Sequence, residues 1–246
     1  MDIKEINPRV NINHWYYQTK YTAAQKMLND AGVWPSKSEK KHIIVDVGAG
    51  SAIFTKAFFK SLKAHEKSAY AVDINYWNSF LGIRGGIHFV KALPQEILPT
   101  HLFFMDILEH IENDVDFLKN WVGLSPKSSL FLITVPAFEF LWSSHDVFLD
   151  HKRRYNLERI EKVAIESGLV TLKSRYLYAI ILPLVFIIRK IFEPLIQRLD
   201  INRPQGIRPA NPLINTLLKI VLSIEVSIFP SNRLFGFSCM ILAKKP

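Results

Sequence analysis

Two short stretches concentrate groups able to do chemistry. Asp106-Ile107-Leu108-Glu109-His110 sets two carboxylates and an imidazole within five residues, and Trp142-Ser143-Ser144-His145-Asp146 leads into Asp150-His151-Lys152-Arg153-Arg154-Tyr155. An imidazole titrates near neutrality, so His110, His145 or His151 can act as general base toward a hydroxyl or an amine. Arg153 and Arg154 suit a phosphate or carboxylate on a substrate, with Trp142 and Tyr155 beside them as further candidate contacts. The competing reading is that Asp146 and Asp150 pair with these arginines and pin a surface loop. Asp106, Glu109 and His110 also present three ligand atoms of the type a divalent ion takes, and such an ion would lower the pKa of an acceptor hydroxyl. Against that stands an ordinary role for Glu109 and His110 in capping the next helix.

A third stretch, Asp46-Val47-Gly48-Ala49-Gly50-Ser51, carries glycines rather than acids and bases. Glycines at the end of a strand let the backbone approach a ligand, and a following helix N-terminus offers free amide donors. A dinucleotide fingerprint requires a further glycine where Ile53 stands. Asp73 closes the next strand, where a carboxylate can hold both hydroxyls of a ribose. Asp46 is placed to fix the glycine turn through its backbone amides.

These residues need strands and helices to hold them. His42–Val47 is a β-branched run ending in glycines, and Phe54, Phe58 and Leu62 give the next helical face. Strands are expected at Ala69–Asp73, His88–Lys91, Leu102–Met105, Leu130–Val135, Leu169–Leu172 and Phe237–Ala243, with helices through Val115, Leu118 and Val122 and from Asn156 to Gly168. This alternation predicts an α/β fold with a seven-stranded, mainly parallel sheet covered by helices on both faces. Tyr17, Tyr21, Ala24 and Leu28 mark an amphipathic N-terminal helix ending near Asp30-Ala31-Gly32, after which Ser36–Lys41 reads as a linker. The expected organisation is one domain: a helical cap over 1–35, a core over 42–175, an apolar and basic helical insertion over 176–232, and the last strand over 233–246.

The chain has 246 residues, a net charge of +9 and a mean hydropathy of +0.10. A single cysteine, Cys239, excludes an intrachain disulfide framework and fits a cytoplasmic protein. Met1–Val10 lacks the apolar core of a secretory signal. Nearly all of the positive excess falls in Val170–Pro246, where eleven Lys and Arg face three acids and flank the apolar runs Leu177–Ile188 and Leu213–Phe229. Pro183 interrupts the first run, and Lys219 and Glu225 interrupt the second, so neither reads as a spanning helix. Two readings stand side by side: a helical cap on the core, or peripheral docking on an anionic membrane surface.

Val45-Asp46-Val47-Gly48-Ala49-Gly50-Ser51 resembles motif I of class I S-adenosylmethionine-dependent methyltransferases, and Ala71-Val72-Asp73 resembles the strand that ends in their ribose-binding acid. Asp106 to Ile111 is similar to the segment closing strand four in many bacterial members of the type 11 and type 23 families, and Thr134-Val135-Pro136 to the end of strand five. The resemblance implies that Asp46, Gly48 and Gly50 line the methionine moiety, that Asp73 binds the ribose, and that Ala92 and Leu93 lie near the adenine. Ala49, Ile74, Asp106 and Ile107 belong to the same implied cofactor set. Ala52 stands where many members have a third glycine, which is tolerable if its φ is negative. Small-RNA 2′-hydroxyl methyltransferases carry a comparable carboxylate and histidine group joined by a histidine beyond strand five, which would make His151 the partner of Asp106, Glu109 and His110 on a metal. The N-terminal segment commonly helps to enclose the pocket in such enzymes, so His14-Trp15-Tyr16-Tyr17 is a candidate aromatic lid with Tyr16, Tyr17 and Lys20 as contacts. Packing of the helix onto the sheet explains the same residues equally.

The function these features imply is methyl transfer from S-adenosylmethionine to an oxygen or nitrogen of a small-molecule, lipid-linked or glycan-linked acceptor. An RNA or tRNA methyltransferase is the alternative suggested by the pI near 9.5, although aromatic and basic residues are not interleaved as a stacking platform. A membrane-docked scaffold that binds the cofactor without turnover is the non-enzymatic alternative.

Overall fold

The computed structural model describes residues 12–34, 41–64, 66–192 and 209–246. Met1–Val10, most of the expected linker, and the basic residues Arg198, Arg203 and Arg208 lie outside the described residues. The β-branched runs form strands β1 (His42–Val47), β2 (Lys67–Val72), β3 (Gly82–Arg84), β4 (Ile87–Val90), β5 (His101–Met105), β6 (Leu130–Pro136), β7 (Val170–Leu177) and β8 (Ser238–Lys244). Helices α1 (Trp15–Asp30), α2 (Ile53–Ser61), α3 (Asp114–Leu124), α4 (Ser144–Phe148), α5 (Leu157–Glu166), α6 (Leu182–Ile187) and α7 (Pro212–Ile228) connect or cover them, and α6 continues as a π-turn over Ile188–Phe192.

One eight-stranded sheet results, in the order β3-β4-β2-β1-β5-β6-β8-β7. The pairs from β4 through β6 are parallel, while β3 with β4, β6 with β8 and β7 with β8 are antiparallel. From β1 the chain winds outward through β2 to β4 and then returns to the other side of β1 as β5. The carboxyl ends of β1 and β5 therefore flank the topological switch point, where open α/β sheets bind ligands.

The eighth strand, β3, departs from the expected seven. Gly85 and Gly86, both at positive φ, form a two-residue hairpin loop that folds Gly82–Arg84 back onto β4. The other departure is β7, which runs five residues beyond the expected Leu172, so Tyr176 and Leu177 belong to the sheet rather than to the insertion.

Alternating strand residues divide the core between the two faces. Ile44, Phe103, Leu132 and Leu242 pack beneath Leu28 of α1, Phe54 and Phe58 of α2, and Leu222 and Val226 of α7. Val45, Phe104, Phe131 and Ile241 pack against Leu118 and Val122 of α3 and Leu157 and Ile160 of α5. Among the described residues no helix is long and apolar enough to cross a membrane.

Candidate active site

Backbone amides and one carboxylate fix the loop after β1. Gly48 and Ala49 both donate to the Val72 carbonyl at 2.8 and 3.1 Å. Gly50 donates to Asp73 Oδ2 at 2.9 Å, the Asn75 amide donates to Asp73 Oδ1 at 2.9 Å, and the Tyr76 hydroxyl donates to the Gly50 carbonyl at 2.8 Å. Asp73, not Asp46, thus anchors the glycine turn, which corrects the expectation for Asp46. Gly48 has φ +67°, and a Cβ there would lie 2.6 Å from Ile107 Cδ1. Ala52 adopts φ +56° just before α2, so the negative φ that would make an alanine tolerable there is not met, and this alanine holds a strained backbone.

Asp46 points into the core instead of into a cavity. It is 1% exposed, accepts a 2.5 Å hydrogen bond from Thr55 Oγ1, and has no partner at Oδ1 among the described residues. Burial pushes its carboxyl up to about 6.

A cavity of about 590 Å³ opens over the switch point. Gly48, Asp73, Ile74, Ala92, Leu93, Asp106 and Ile107 line it, whereas Asp46, Ala49 and Gly50 of the expected cofactor set do not. Phe117, Trp121 and Leu124, on successive turns of α3, complete an apolar slot beside Leu93 and Ile107. Helical spacing alone gives no sign that this face lines a cavity.

A second cavity of about 430 Å³ adjoins the first, and Asp106 and His110 line both. His14, Trp15 and Tyr16 line one side of it, while Glu109, His145, His151, Arg154 and Arg189 supply its polar wall. Tyr17 does not take part: it is 2% exposed and packs edge-on against Phe54, because one residue further along α1 turns the ring toward the sheet. Trp142, Arg153 and Tyr155, expected as substrate contacts, are also absent from the lining. Arg153 turns to Asp114 and the Glu112 carbonyl, and Tyr155 is buried with its hydroxyl donating to Asp114 Oδ2 at 2.7 Å. Arg154 lines the cavity, but its guanidinium is committed to Asp146 and to the Ala137 carbonyl.

Asp146 organises this wall. It is fully buried and accepts from Arg154 Nε at 2.8 Å, Arg154 Nη2 at 3.0 Å, Arg189 at 3.3 Å and the Ser143 amide at 2.9 Å. Its Oδ1 also meets His151 Nδ1 at 2.8 Å. Burial alone would raise its pKa, but the His151 hydrogen bond and the two guanidinium groups outweigh burial and hold the carboxyl well below the usual carboxylate range. An ionised Asp146 can only accept, so it favours the tautomer in which His151 Nδ1–H donates to it and Nε2 is left with the lone pair. The His151 ring stands 4.7 Å from that of His110, at the junction of the two cavities.

On the opposite side, Asp106 has φ +57° and is held by α1. Lys20 Nζ pairs with its Oδ2, the Tyr16 hydroxyl reaches the same oxygen at 3.2 Å, and Thr134 Oγ1 donates to Oδ1 at 2.9 Å. Burial would raise the Asp106 pKa, and the buried Lys20 ammonium more than reverses this. Glu109 lies next to it with no cation of its own among the described residues. Burial first, and then the Asp106 charge, push Glu109 well above the usual carboxylate range, and its Oε2 has no hydrogen-bond partner there.

Ligand atoms of Glu109, His110 and His151 all lie within 4.8 Å of one another. Asp106, the fourth residue of the expected metal set, is outside this group, and its carboxylate is held by Lys20 and Thr134.

No protein-family model matches the chain, and no curated protein matches it. Solved structures match its fold. A protein from Galdieria sulphuraria provisionally described as a sarcosine dimethylglycine methyltransferase superposes with a TM-score of 0.55 at 16% identity, over 93% of this chain and 86% of that one. An S-adenosylmethionine-dependent methyltransferase from Mesorhizobium loti gives 0.53 at 12% identity, over 92% and 98%. The cyclase SpnF gives 0.54 at 11% identity, over 98% and 85%. The chain has the class I S-adenosylmethionine-dependent methyltransferase fold. Since a cyclase shares that architecture, the reaction has to be argued from the site.

Proposed function

We propose that this chain binds S-adenosylmethionine in the larger cavity and transfers its methyl group to an oxygen or nitrogen of an acceptor in the smaller one, a small molecule or a lipid- or glycan-linked group. One observation carries the reading: the two cavities share Asp106 and His110, and the Asp146–His151 pair stands on the acceptor side of that junction.

The residues fit the cofactor. Gly48, with Ile107 packed where a Cβ would stand, brings bare backbone to the cavity wall, Asp73 sits at the strand end where a ribose diol binds, and Leu93, Ile107, Phe117 and Trp121 offer apolar faces to a purine. Bound there, S-adenosylmethionine supplies a methyl group activated by its sulfonium. With the methyl group supplied by the bound donor, which would leave as the neutral thioether, His151 Nε2 would take the proton that the acceptor hydroxyl or amine gives up. Asp146 keeps His151 in the required tautomer. Trp15, Tyr16 and His110 position the acceptor in line, a contribution that accounts for much of the rate in such displacements.

Crystals grown with S-adenosylhomocysteine test this placement. The adenine is expected between Leu93 and the Phe117–Trp121 face, and the sulfur beside Asp106 and His110. A product bound elsewhere overturns it.

The proximity of Glu109, His110 and His151 favours a metal-assisted form of the same reaction, in which these three residues hold a divalent ion that acidifies the acceptor hydroxyl. Calorimetry with Mn²⁺ alone, on native protein and on His110→Ala, decides it: no saturable binding, or equal binding to both, removes the metal. An RNA acceptor has one feature in its favour, a groove between Lys56, Lys60, Lys67 and Arg84 and the rings of Phe59, Phe80 and Phe89. Lys67 and Arg84, however, donate to backbone carbonyls and sit over Phe59 and Phe80 themselves, which leaves those rings poorly placed to stack bases. RNA binding that weakens steeply with salt would revive that acceptor class.

A further inference from the structure

The layer formed by α6, its π-turn and α7 has an unusual outer surface. α7 is apolar on the side that faces the core and on the side that faces away. Leu222 and Val226 are buried against the sheet, while Leu213, Leu217, Ile220, Ile224 and Ile228, spaced by three or four residues, form an exposed ridge with Leu213 82% and Leu217 61% exposed. The outer side of a helix that only caps a core is normally polar. Leu184, Phe186, Ile187, Ile191 and Phe192 extend the exposed apolar surface along α6 and the π-turn.

Two observations relate these elements. Near the end of α7, Glu225 is 1% exposed and accepts from the Ala179 and Ile180 amides at 3.0 Å each, just before α6 begins. At the opposite end, Arg189 of the π-turn and Pro209 and Ala210 ahead of α7 line the acceptor cavity together. The apolar surface thus reaches the cavity mouth.

The charges of this layer have one sign. Among the described residues of 178–192 and 209–237, the only acid is the buried Glu225; of the four basic residues, Arg189 pairs with Asp146 and Arg233 with Glu161, so Lys190 and Lys219 carry the layer's positive charge. A face that buries its single acid, exposes aliphatic ridges and carries lysines complements a lipid surface bearing negative charge.

We propose that α6 and α7 seat this protein on an anionic phospholipid bilayer, peripherally, so that the acceptor cavity opens at the lipid boundary. This rests on the methyl-transfer reading only for the meaning of that cavity; the docking stands without it.

Flotation of the full chain tests the proposal with phosphatidylcholine vesicles and with vesicles containing phosphatidylglycerol. The native protein is expected to float with the anionic vesicles and far less with neutral ones. Leu217→Glu/Ile224→Glu changes only exposed side chains, so the fold is retained, and vesicle binding should fall about a hundredfold. Lys190→Glu/Lys219→Glu should weaken it selectively on anionic vesicles. Failure of native protein to float, or equal flotation of the Leu217→Glu/Ile224→Glu variant, overturns the proposal. So does a stable dimer in light scattering that the same variant converts to monomer, because a second copy would then cover the face. S-adenosylmethionine binding measured on the same samples keeps the two claims apart: flotation without cofactor binding upholds docking and removes the methyl-transfer reading, and cofactor binding without flotation removes docking and leaves the cofactor site standing.

Discussion

Replacing Asp46 with asparagine separates a structural role from a ligand-binding one. The carboxyl is buried, has one hydrogen-bond donor in Thr55 and an unpartnered Oδ1, and burial raises its pKa from the ordinary 3.8 to about 6. Below about pH 4 both the folded and unfolded chains hold this proton, and the group does not bias folding. Between 3.8 and about 6 the folded chain keeps a proton that the unfolded chain releases, so its contribution to stability falls as pH rises. Above about 6 the penalty is complete. At about 1.36 kcal/mol per pH unit, the difference corresponds to about 3 kcal/mol. An asparagine side chain has no such ionisation. The new amide introduces a pH-independent offset of about 1 to 3 kcal/mol if its donors are poorly satisfied, but the gap between variant and native should move by about 3 kcal/mol in the variant's favour from about pH 4 to about pH 8. Urea denaturation followed by tryptophan fluorescence measures the gap at each pH. A gap that stays flat across this range refutes the burial argument. Because Asp46 lies outside the larger cavity, Asp46→Asn should also bind S-adenosylmethionine within about threefold of native, and a loss beyond about tenfold would restore the direct contact implied by the resemblance.

Gly48→Ala forces an L-residue to positive φ, costing about 1 to 2 kcal/mol, and drives a methyl into Ile107; titration should show cofactor affinity at least about tenfold weaker. Trp121 lines the purine slot, so S-adenosylmethionine should quench native tryptophan fluorescence, and Trp121→Phe should lose most of the change while still binding in calorimetry. Asp146→Asn leaves Arg154 and Arg189 beside a neutral amide, and denaturant midpoints should report a loss of about 3 kcal/mol or more. Lys20→Met strands the Asp106 carboxylate and should cost a similar amount, much of it recovered in Lys20→Met/Asp106→Asn, where no charge is left unpaired.

The strand ends are legible in the sequence because their signals are local. The β1, β5 and β6 runs, the Gly48 to Gly50 turn, Asp73 and the Asn156 cap each specify structure within a few residues and occur where expected, whereas β7 outruns its expected end. β3 has a local signal too, since Gly85-Gly86 between short apolar runs marks a hairpin. Other features depend on which distant side chains meet. Whether Arg153 and Arg154 face an acceptor or pair with Asp146 and Asp150 depends on such meetings: Arg154 and His151 approach Asp146 together from the same loop, and Arg153 turns to Asp114. Tyr16 and Tyr17 look equivalent in sequence, yet one turns toward Asp106 and the other into the core. Glu225 reads as a break in an apolar run, whereas in the fold it ties α7 to the start of α6. Phe117 and Trp121 have the spacing of a core helix, and only the opening above β5 turns their faces into a slot.

The central claim is that the cavity between Asp73 and Asp106 takes S-adenosylmethionine. Calorimetric titration of the full chain tests it directly: one saturable site per chain is expected, weakened at least about tenfold in Asp73→Ala. No saturable binding to native protein, or unchanged affinity in Asp73→Ala, would contradict it.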